Sequence, residues 1–486
     1  MRHALPLRSL TLIAVAAAAV LAGCVNLAPD YQAPALPVPA TLPSANVEAA
    51  TPLDAGWRDF FVEPKLRAVI ELALANNRDL RVAALNIERA RAQYGIARAG
   101  LFPTIDVGAG GSRSRTPGSL STGGEPRYAT QYSADLGLTS YEIDLFGRVR
   151  NLSEAALQSF FQTEATQRGT QISLVASVAT AWLQLAADEQ RLQLARHTLD
   201  SQRRSFDLIQ RGHGLGAQSG LALAQAQSTV DAARADAAAF DSQVEQDRNA
   251  LALLVGATPP AELLPTPAAT DPGTATASAA TAEPAPAARL LVPPAGLPSS
   301  VLQQRPDVLA AEHALRASNA DIGAARAAFF PRIALTASAG TASSTLSGLF
   351  ASGSSAWSFA PSISVPIFDG GANRANLRVA EAQQKIQLAS YEKTVQTAFR
   401  EVADALAERR TLAERLDAQR SLLDATSRSF SLSQSLFRSG ASSYLDVLDA
   451  QRAYYAAQQT LIGLQLTEQT NRLTLYKVLG GGWKES

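Results

Sequence analysis

Few folds are open to a chain with two proline-free runs as long as these. No proline occurs from Arg127 to Thr258, and none from Ile367 onward. Proline breaks a helix interior because it lacks an amide donor and clashes with the preceding turn, so its absence lets a helix run on. Arg148 to Arg211 and Gly371 to Arg438 are also poor in glycine. At about 1.5 Å per residue, each could reach on the order of 100 Å. Ordinary helices are about a dozen residues, so helices this long are stable only when packed lengthwise against neighbours.

Each long run ends in a tight turn and a returning helix. In the second, Arg438-Ser439-Gly440 supplies a stop, with Gly able to take positive φ, and Ser442 or Ser443 can cap the next helix. Leu448, Tyr455, Ile462, Leu466, Leu473 and Tyr476 then form one stripe, as in a helix packed along another. Leu445 and Asp449 are i and i+4 and share a face one turn past the tip. An acid so near a turn is ordinarily a solvated surface residue.

The chain is also an internal duplication. A shift of 224 residues lays Ser429-Phe430 on Ser205-Phe206, Gly440-Ala441 on Gly216-Ala217, Ser443 on Ser219 and Leu445 on Leu221. A shift of 228 lays Asp307 on Asp79, Gly323 on Gly95 and Phe330-Pro331 on Phe102-Pro103. Copies this long are two quasi-equivalent halves rather than solenoid units. The same register sets Asp449 against Gln225 and Asp446 against Ala222, so the acids occur only in the second hairpin.

Five segments are expected: a signal peptide at 1–23, a lipidated extended segment at 24–62, a first repeat at 63–256, a Pro/Ala/Thr-rich insert at 257–298 and a second repeat at 299–486. Arg2 and Arg8 precede the apolar run Leu10 to Val20, which is too short for a permanent anchor. Leu21-Ala22-Gly23-Cys24 follows and looks like a bacterial lipobox, in which the cysteine is lipidated. Cys24 is the only cysteine, so no intramolecular disulfide is possible. Net charge is +0, which gives no reason to expect a nucleic-acid partner.

Ahead of each long helix, a shorter helix runs into Phe-Pro and then two alternating segments. Ile105, Val107 and Ala109 alternate with Thr104, Asp106 and Gly108, and Tyr132, Ala134, Leu136 and Leu138 with Ser133, Asp135 and Gly137. In the second half Ile333, Leu335 and Ala337, then Trp357, Phe359, Ile363, Val365 and Ile367, repeat the pattern. Segments of about ten residues with this dyad period suit membrane β-strands. The stretches 112–130 and 342–356, rich in Gly, Ser and Thr, read as the loops between them.

Four strands cannot close a barrel, and open edges are not tolerated in lipid. Three copies would give about twelve strands, whereas two would give about eight, with an interior filled by side chains. The long helices would then form a coaxial tube whose far end, at the two turns, must be closable.

Leu445–Arg452 (LDVLDAQR), Leu475–Trp483 (LYKVLGGGW), Arg305–Val308 (RPDV), Ala327–Pro331 (AAFFP) and Pro366–Gly371 (PIFDGG) resemble the outer-membrane lipoproteins of RND efflux systems, NodT type, which are TolC-like outer-membrane factors. The resemblance covers nearly all of the chain from Trp57 to Trp483. It implies a mainly α fold with membrane β: a TolC-like trimeric tunnel with four strands per chain, a twelve-stranded barrel, and a long α-helical periplasmic barrel. It implies a homotrimer lipid-anchored in the outer membrane through Cys24, a periplasmic adaptor and an inner-membrane RND pump as partners, and passive export of pump substrates. A type I protein-secretion duct is the alternative. The family's periplasmic gate matches Leu445 and Asp449 here, with Asp446 beside them. The turns carry small residues at Gly216, Ala217 and Ser219 and at Gly440, Ala441 and Ser443, which suit close docking of the adaptor. The insert at 257–298 is a departure from the family pattern.

Catalysis is not expected. His3, His197, His213 and His313 lie on separate segments without metal-ligand spacing, and no nucleophile elbow or phosphate loop occurs. No metal or cofactor beyond the lipid on Cys24 is expected.

Overall fold

The computed structural model describes residues 25–42, 56–265, 290 and 298–481. The signal segment, Cys24 and most of the insert lie outside the described residues. After a helical turn at Trp57–Phe60 come α1 (Pro64–Asn76), α2 (Arg78–Ala99), β1 (Ile105–Thr116), β2 (Arg127–Ile143), α3 (Arg148–Gly214) and α4 (Gly220–Val255). The second half gives α5 (Pro306–Ala327), β3 (Arg332–Ser343), β4 (Ser355–Ser364), α6 (Ala372–Arg438) and α7 (Tyr444–Val478). Helices α3 and α6 each run for 67 residues.

Two compact units emerge, and neither is a single repeat. One draws on residues 1–35, 86–164 and 310–392, the other on 36–85, 165–309 and 393–486. Both repeats therefore run through both units.

The first unit holds a sheet in the order β1-β2-β3-β4, antiparallel throughout. Its register separates two faces. Ile105 pairs with Leu138, Val107 with Leu136 and Ala109 with Ala134; across the next ladders Leu136 faces Ala339 and Ala339 faces Trp357. Asp106, Gly108, Asp135, Ser133 and Ser338 lie on the other face. The expected alternation is present, but the strands are longer than apolar alternation marks. β1 continues to Thr116 and β2 begins at Arg127, so the connection is 117–126 rather than 112–130; likewise it is 344–354 rather than 342–356. Backbone pairing continues there without apolar side chains, because the ladder needs only amides and carbonyls. β4 ends at Ser364, leaving Val365 and Ile367 past the strand.

Residues 25–35 run without helix or strand along α5. Asn319 Nδ2 donates to the Pro29 carbonyl at 2.7 Å, and the Arg316 guanidinium lies 4.8 Å from the Tyr31 ring centre. Gly323 makes this contact possible, since an added Cβ would stand 2.8 Å from Ala28 Cα.

The second unit has its core where α1, α3, α4 and α7 meet. α1 buries Leu66, Val69, Ile70 and Ala73, one stripe of a helix that begins at Pro64. They pack with Trp182, Leu183, Leu251 and Val255. Phe60 stacks on Tyr476 at 4.2 Å, and the Tyr476 hydroxyl donates to the Gly481 carbonyl at 2.6 Å. Asn77 caps α2, accepting from the Leu80 amide at 2.9 Å. The RPDV segment acts as a clamp. Arg305 is buried and donates to Asp307 at 2.7 Å, Glu401 at 2.8 Å and the Val478 carbonyl at 2.9 Å, joining α5, α6 and α7.

Candidate gate at the hairpin tips

The two turns share one backbone. Gly216 and Gly440 take φ of +76° and +77°, where glycine avoids the Cβ penalty. In the first turn the Ala217 amide donates to the Gly212 carbonyl at 2.8 Å; in the second the Ala441 amide donates to Leu436 at 2.8 Å. Ser219 and Ser443 are the N-caps, with ψ of 155° and 157°. Ala217, Ser219, Ala441 and Ser443 are exposed, and space around Gly216 and Gly440 is open.

Beneath the turns, one core joins all four helices. Ile209 of α3, Ala226 of α4, and Tyr444, Val447 and Leu448 of α7 are buried together, with Phe206, Phe430 and Phe437 against them. Phe437 and Tyr444 rings are 5.4 Å apart. Burying Tyr444, Val447, Leu448 and Gln451 turns the opposite face of α7 outward. Leu445 and Asp449 lie on that outward face, as their spacing predicts; Leu445 is 45% exposed and the Asp449 side chain 64%.

Two contacts refine the expectation. Asp446 is occupied by the helix start: its Oδ2 accepts from the Ser443 amide at 3.0 Å, while Ser443 Oγ accepts from the Asp446 amide. This reciprocal pair is a capping box. Arg452, three residues after Asp449, donates to it at 3.3 Å. Arg452 was not among the expected site residues, although the i, i+3 spacing inside LDVLDAQR carries the signal.

A second acidic group lies on α3 and α4 and was also missed. Asp188 accepts from Arg191 at 2.7 Å and Gln184 at 2.6 Å. Asp247 accepts from Gln243 at 3.0 Å through one oxygen, and its other oxygen is buried without a donor. Burial, and then the neighbouring Asp188 carboxylate, push Asp247 up to about 6. A proton on the unsatisfied oxygen would let Asp247 donate to Asp188. Burial also raises Glu189, against the opposing pull of Arg248 at 3.1 Å. Asp247 borders a groove of about 440 Å³ with Thr180, Gln184 and Lys477. Among the described residues no cluster of His, Cys, Asp and Glu could hold a metal ion.

Comparison with known proteins agrees with this architecture. The family described as outer membrane efflux protein matches residues 69–257 and 297–481. From 69 to 297 is a shift of 228, and from 257 to 481 a shift of 224, the two registers of the duplication. The antibiotic efflux pump outer membrane protein ArpC of Pseudomonas putida is 45% identical over 484 residues, covering 98% of this chain and 96% of ArpC. A crystallised membrane protein from Pseudomonas aeruginosa matches with a TM-score of 0.86 at 42% identity, over 94% of this chain and 98% of that one. The open-state MtrE outer membrane channel of Neisseria gonorrhoeae matches with a TM-score of 0.83 at 39% identity, over 95% of this chain and 99% of MtrE. The chain belongs to the outer membrane efflux protein family.

Proposed function

We propose that three copies of this chain form the outer-membrane duct of a tripartite efflux system, which carries pump substrates passively from the periplasm to the exterior. The observation that carries this reading is the sheet. It has one apolar and one polar face, the outer edges of β1 and β4 meet no further strand among the described residues, and each repeat continues from it into a helical hairpin. In lipid such edges must find strands. β4 of one copy against β1 of the next closes the ring at about twelve strands, a number that leaves an aqueous lumen. Exposed Val82, Leu85 and Ile96 on α2, and Val379 and Ile386 on α6, are apolar surface that neighbouring copies would cover. Relatives named as efflux-pump components favour efflux over protein secretion.

Leu445 and Asp449 are the gate in this reading. Symmetry copies of Leu445 make an apolar constriction and Asp449 with Arg452 a charged ring one turn deeper, while Asp446 fixes the helix start. The turns at Gly216, Ala217 and Ser219 and at Gly440, Ala441 and Ser443 receive a periplasmic adaptor, which links the duct to an inner-membrane RND pump. Cys24 carries the lipid that anchors the chain at the outer membrane. The chain performs no catalysis, and the energy for transport comes from the pump.

Insertion into planar bilayers tests the duct. Wild-type protein should run as a detergent-stable trimer and give discrete conductance steps. A monomer that never conducts would defeat the proposal. Mass spectrometry of the mature N-terminus tests the anchor: a lipid-modified Cys24 as the first residue is expected, and an unmodified thiol would refute it.

A further inference from the structure

We propose that Arg113 and Arg115, with Tyr128 and Tyr132, form a rim that binds the phosphate groups of anionic lipid headgroups at the loop end of the sheet. The site rests on reading the sheet as part of a membrane barrel. Follow the apolar face from the helix end toward the 117–126 loop. The pairs are Ile105 with Leu138, Val107 with Leu136, Ala109 with Ala134, Gly111 with Tyr132, Arg113 with Thr130 and Arg115 with Tyr128. The face changes in order from aliphatic to aromatic to cationic, which is the sequence a side chain meets on leaving hydrocarbon for the headgroup layer.

The distances fit that layer. Ile105 to Arg115 is about 34 Å along a strand. At a tilt of about 40° this is about 26 Å of height, against an apolar band of about 25 Å. Arg115 therefore reaches the boundary and Arg113 lies just inside it, where a long side chain extends its charged end to the interface.

The local contacts leave both charges available. Tyr132 covers Gly111, where an added Cβ would meet the ring at 3.1 Å. Arg113 and Arg115 guanidinium carbons lie 5.7 and 6.0 Å from the centre of the Tyr128 ring, one residue bracketed by two cations. Among the described residues no carboxylate pairs with either arginine, and both are exposed. Two planar guanidiniums two residues apart on one face can take adjacent oxygens of a phosphate group in bidentate fashion. Arg127 pairs with Thr116 and so belongs to the polar face, away from lipid.

The probe is a diphosphorylated glucosamine lipid, added at one tenth to phosphatidylcholine vesicles holding the purified trimer. Lipid retained after detergent extraction is counted by native mass spectrometry. Juxtamembrane arginines contribute about five-fold each in lipid affinity, so Arg113→Gln with Arg115→Gln should lower retention about twenty-five-fold. Arg113→Lys with Arg115→Lys should restore most of it, and Arg127→Gln should leave it unchanged. Free inorganic phosphate at millimolar concentration should not displace the lipid; displacement would reassign the site to free phosphate. Equal retention by wild type and the double glutamine variant, both trimeric, would overturn the site alone. Wild-type protein that enters no vesicle would overturn the barrel reading, and the site with it.

Discussion

The two hairpins share a backbone and differ in where they set particular carboxylates. In the register of 224 residues, α3 and α6 begin at equivalent positions, Arg148 and Ala372, and both run 67 residues. The turns repeat their glycine, their carbonyl pairings and their serine cap. Side chains diverge. The first hairpin buries Asp188, Glu189 and Asp247 far from its turn, where the second has Leu412, Ala413 and Asn471. At the tip the second has Asp446, Asp449 and Arg452, where the first has Ala222, Gln225 and Ser228. Duplication preserved the shape, which is set by backbone geometry and apolar stripes, and left the charges free to specialise. A trimer therefore alternates two kinds of tip around its ring, and only three of the six carry the Asp446, Asp449 and Arg452 group.

Making the tips alike in charge should produce the largest effect. Leu445→Ala with Asp449→Ala should raise conductance and open probability several-fold in planar bilayers. Leu221→Ala with Gln225→Ala, the same change in the other hairpin, should do little. Equal responses would erase the distinction between the hairpins. Asp449→Ala alone should lower cation selectivity, and Arg452→Ala should raise it, since the ring then keeps an unpaired acid.

Next comes the buried pair. The native pKa of Asp247, about 6, lies above its ordinary value of 3.8. Its protonated form is thus favoured by the fold. The stabilisation is complete below about pH 4 and is lost as pH rises through about 6. Arg191 faces the Asp188 member of the pair, Gln243 and Gln184 are neutral, and Arg248 serves Glu189. Asp247→Asn copies Asn471 and removes the titration. It should raise stability at pH 8 by about 2 kcal/mol and leave pH 4 nearly unchanged. Thermal unfolding of the trimer in detergent across that range measures it. A wild-type profile flat between pH 4 and 7 would remove the shared proton.

Smaller effects belong to the turns. Gly216→Ala and Gly440→Ala should each cost about 1 kcal/mol through the backbone alone, since nothing stands near either Cβ. Unequal costs would mean that the turns differ in more than side chains. Smallest is the cap: Asp446→Ala should cost about 0.5 kcal/mol, and Ala222→Asp should recover a few tenths by completing the missing half of the box at Ser219.

Much of this is legible in the sequence, for reasons that differ by element. The uninterrupted length of α3, a serine cap at Ser442 or Ser443 and the shared face of Leu445 and Asp449 follow from simple rules: absence of proline, serine capping and i, i+4 spacing. Strand ends were misplaced by several residues because Ser112 to Thr116 and Arg127 to Ala129 pair through the backbone while their side chains look like a loop. The pair Asp188 and Asp247 was hidden for another reason. Its members are 59 residues apart, and nothing local marks an aspartate as buried, although the duplication register, setting both against uncharged residues, pointed to it. The capping box of Asp446 was not read from the sequence, because proximity in sequence does not reveal which atoms a carboxylate serves.

The equal lengths of α3 and α6 constrain what this chain can become. Each return helix, of 36 and 35 residues, keeps step with its partner. Seven residues added to one hairpin alone would carry its tip about 10 Å past the other. The shared core of Ile209, Ala226 and Tyr444 would then be pulled apart. Length changes are tolerable only when both copies change together, in outgoing and returning helices alike. The duplication thus acts as a ruler, and chimeras that exchange hairpins between relatives should work only where the two lengths agree.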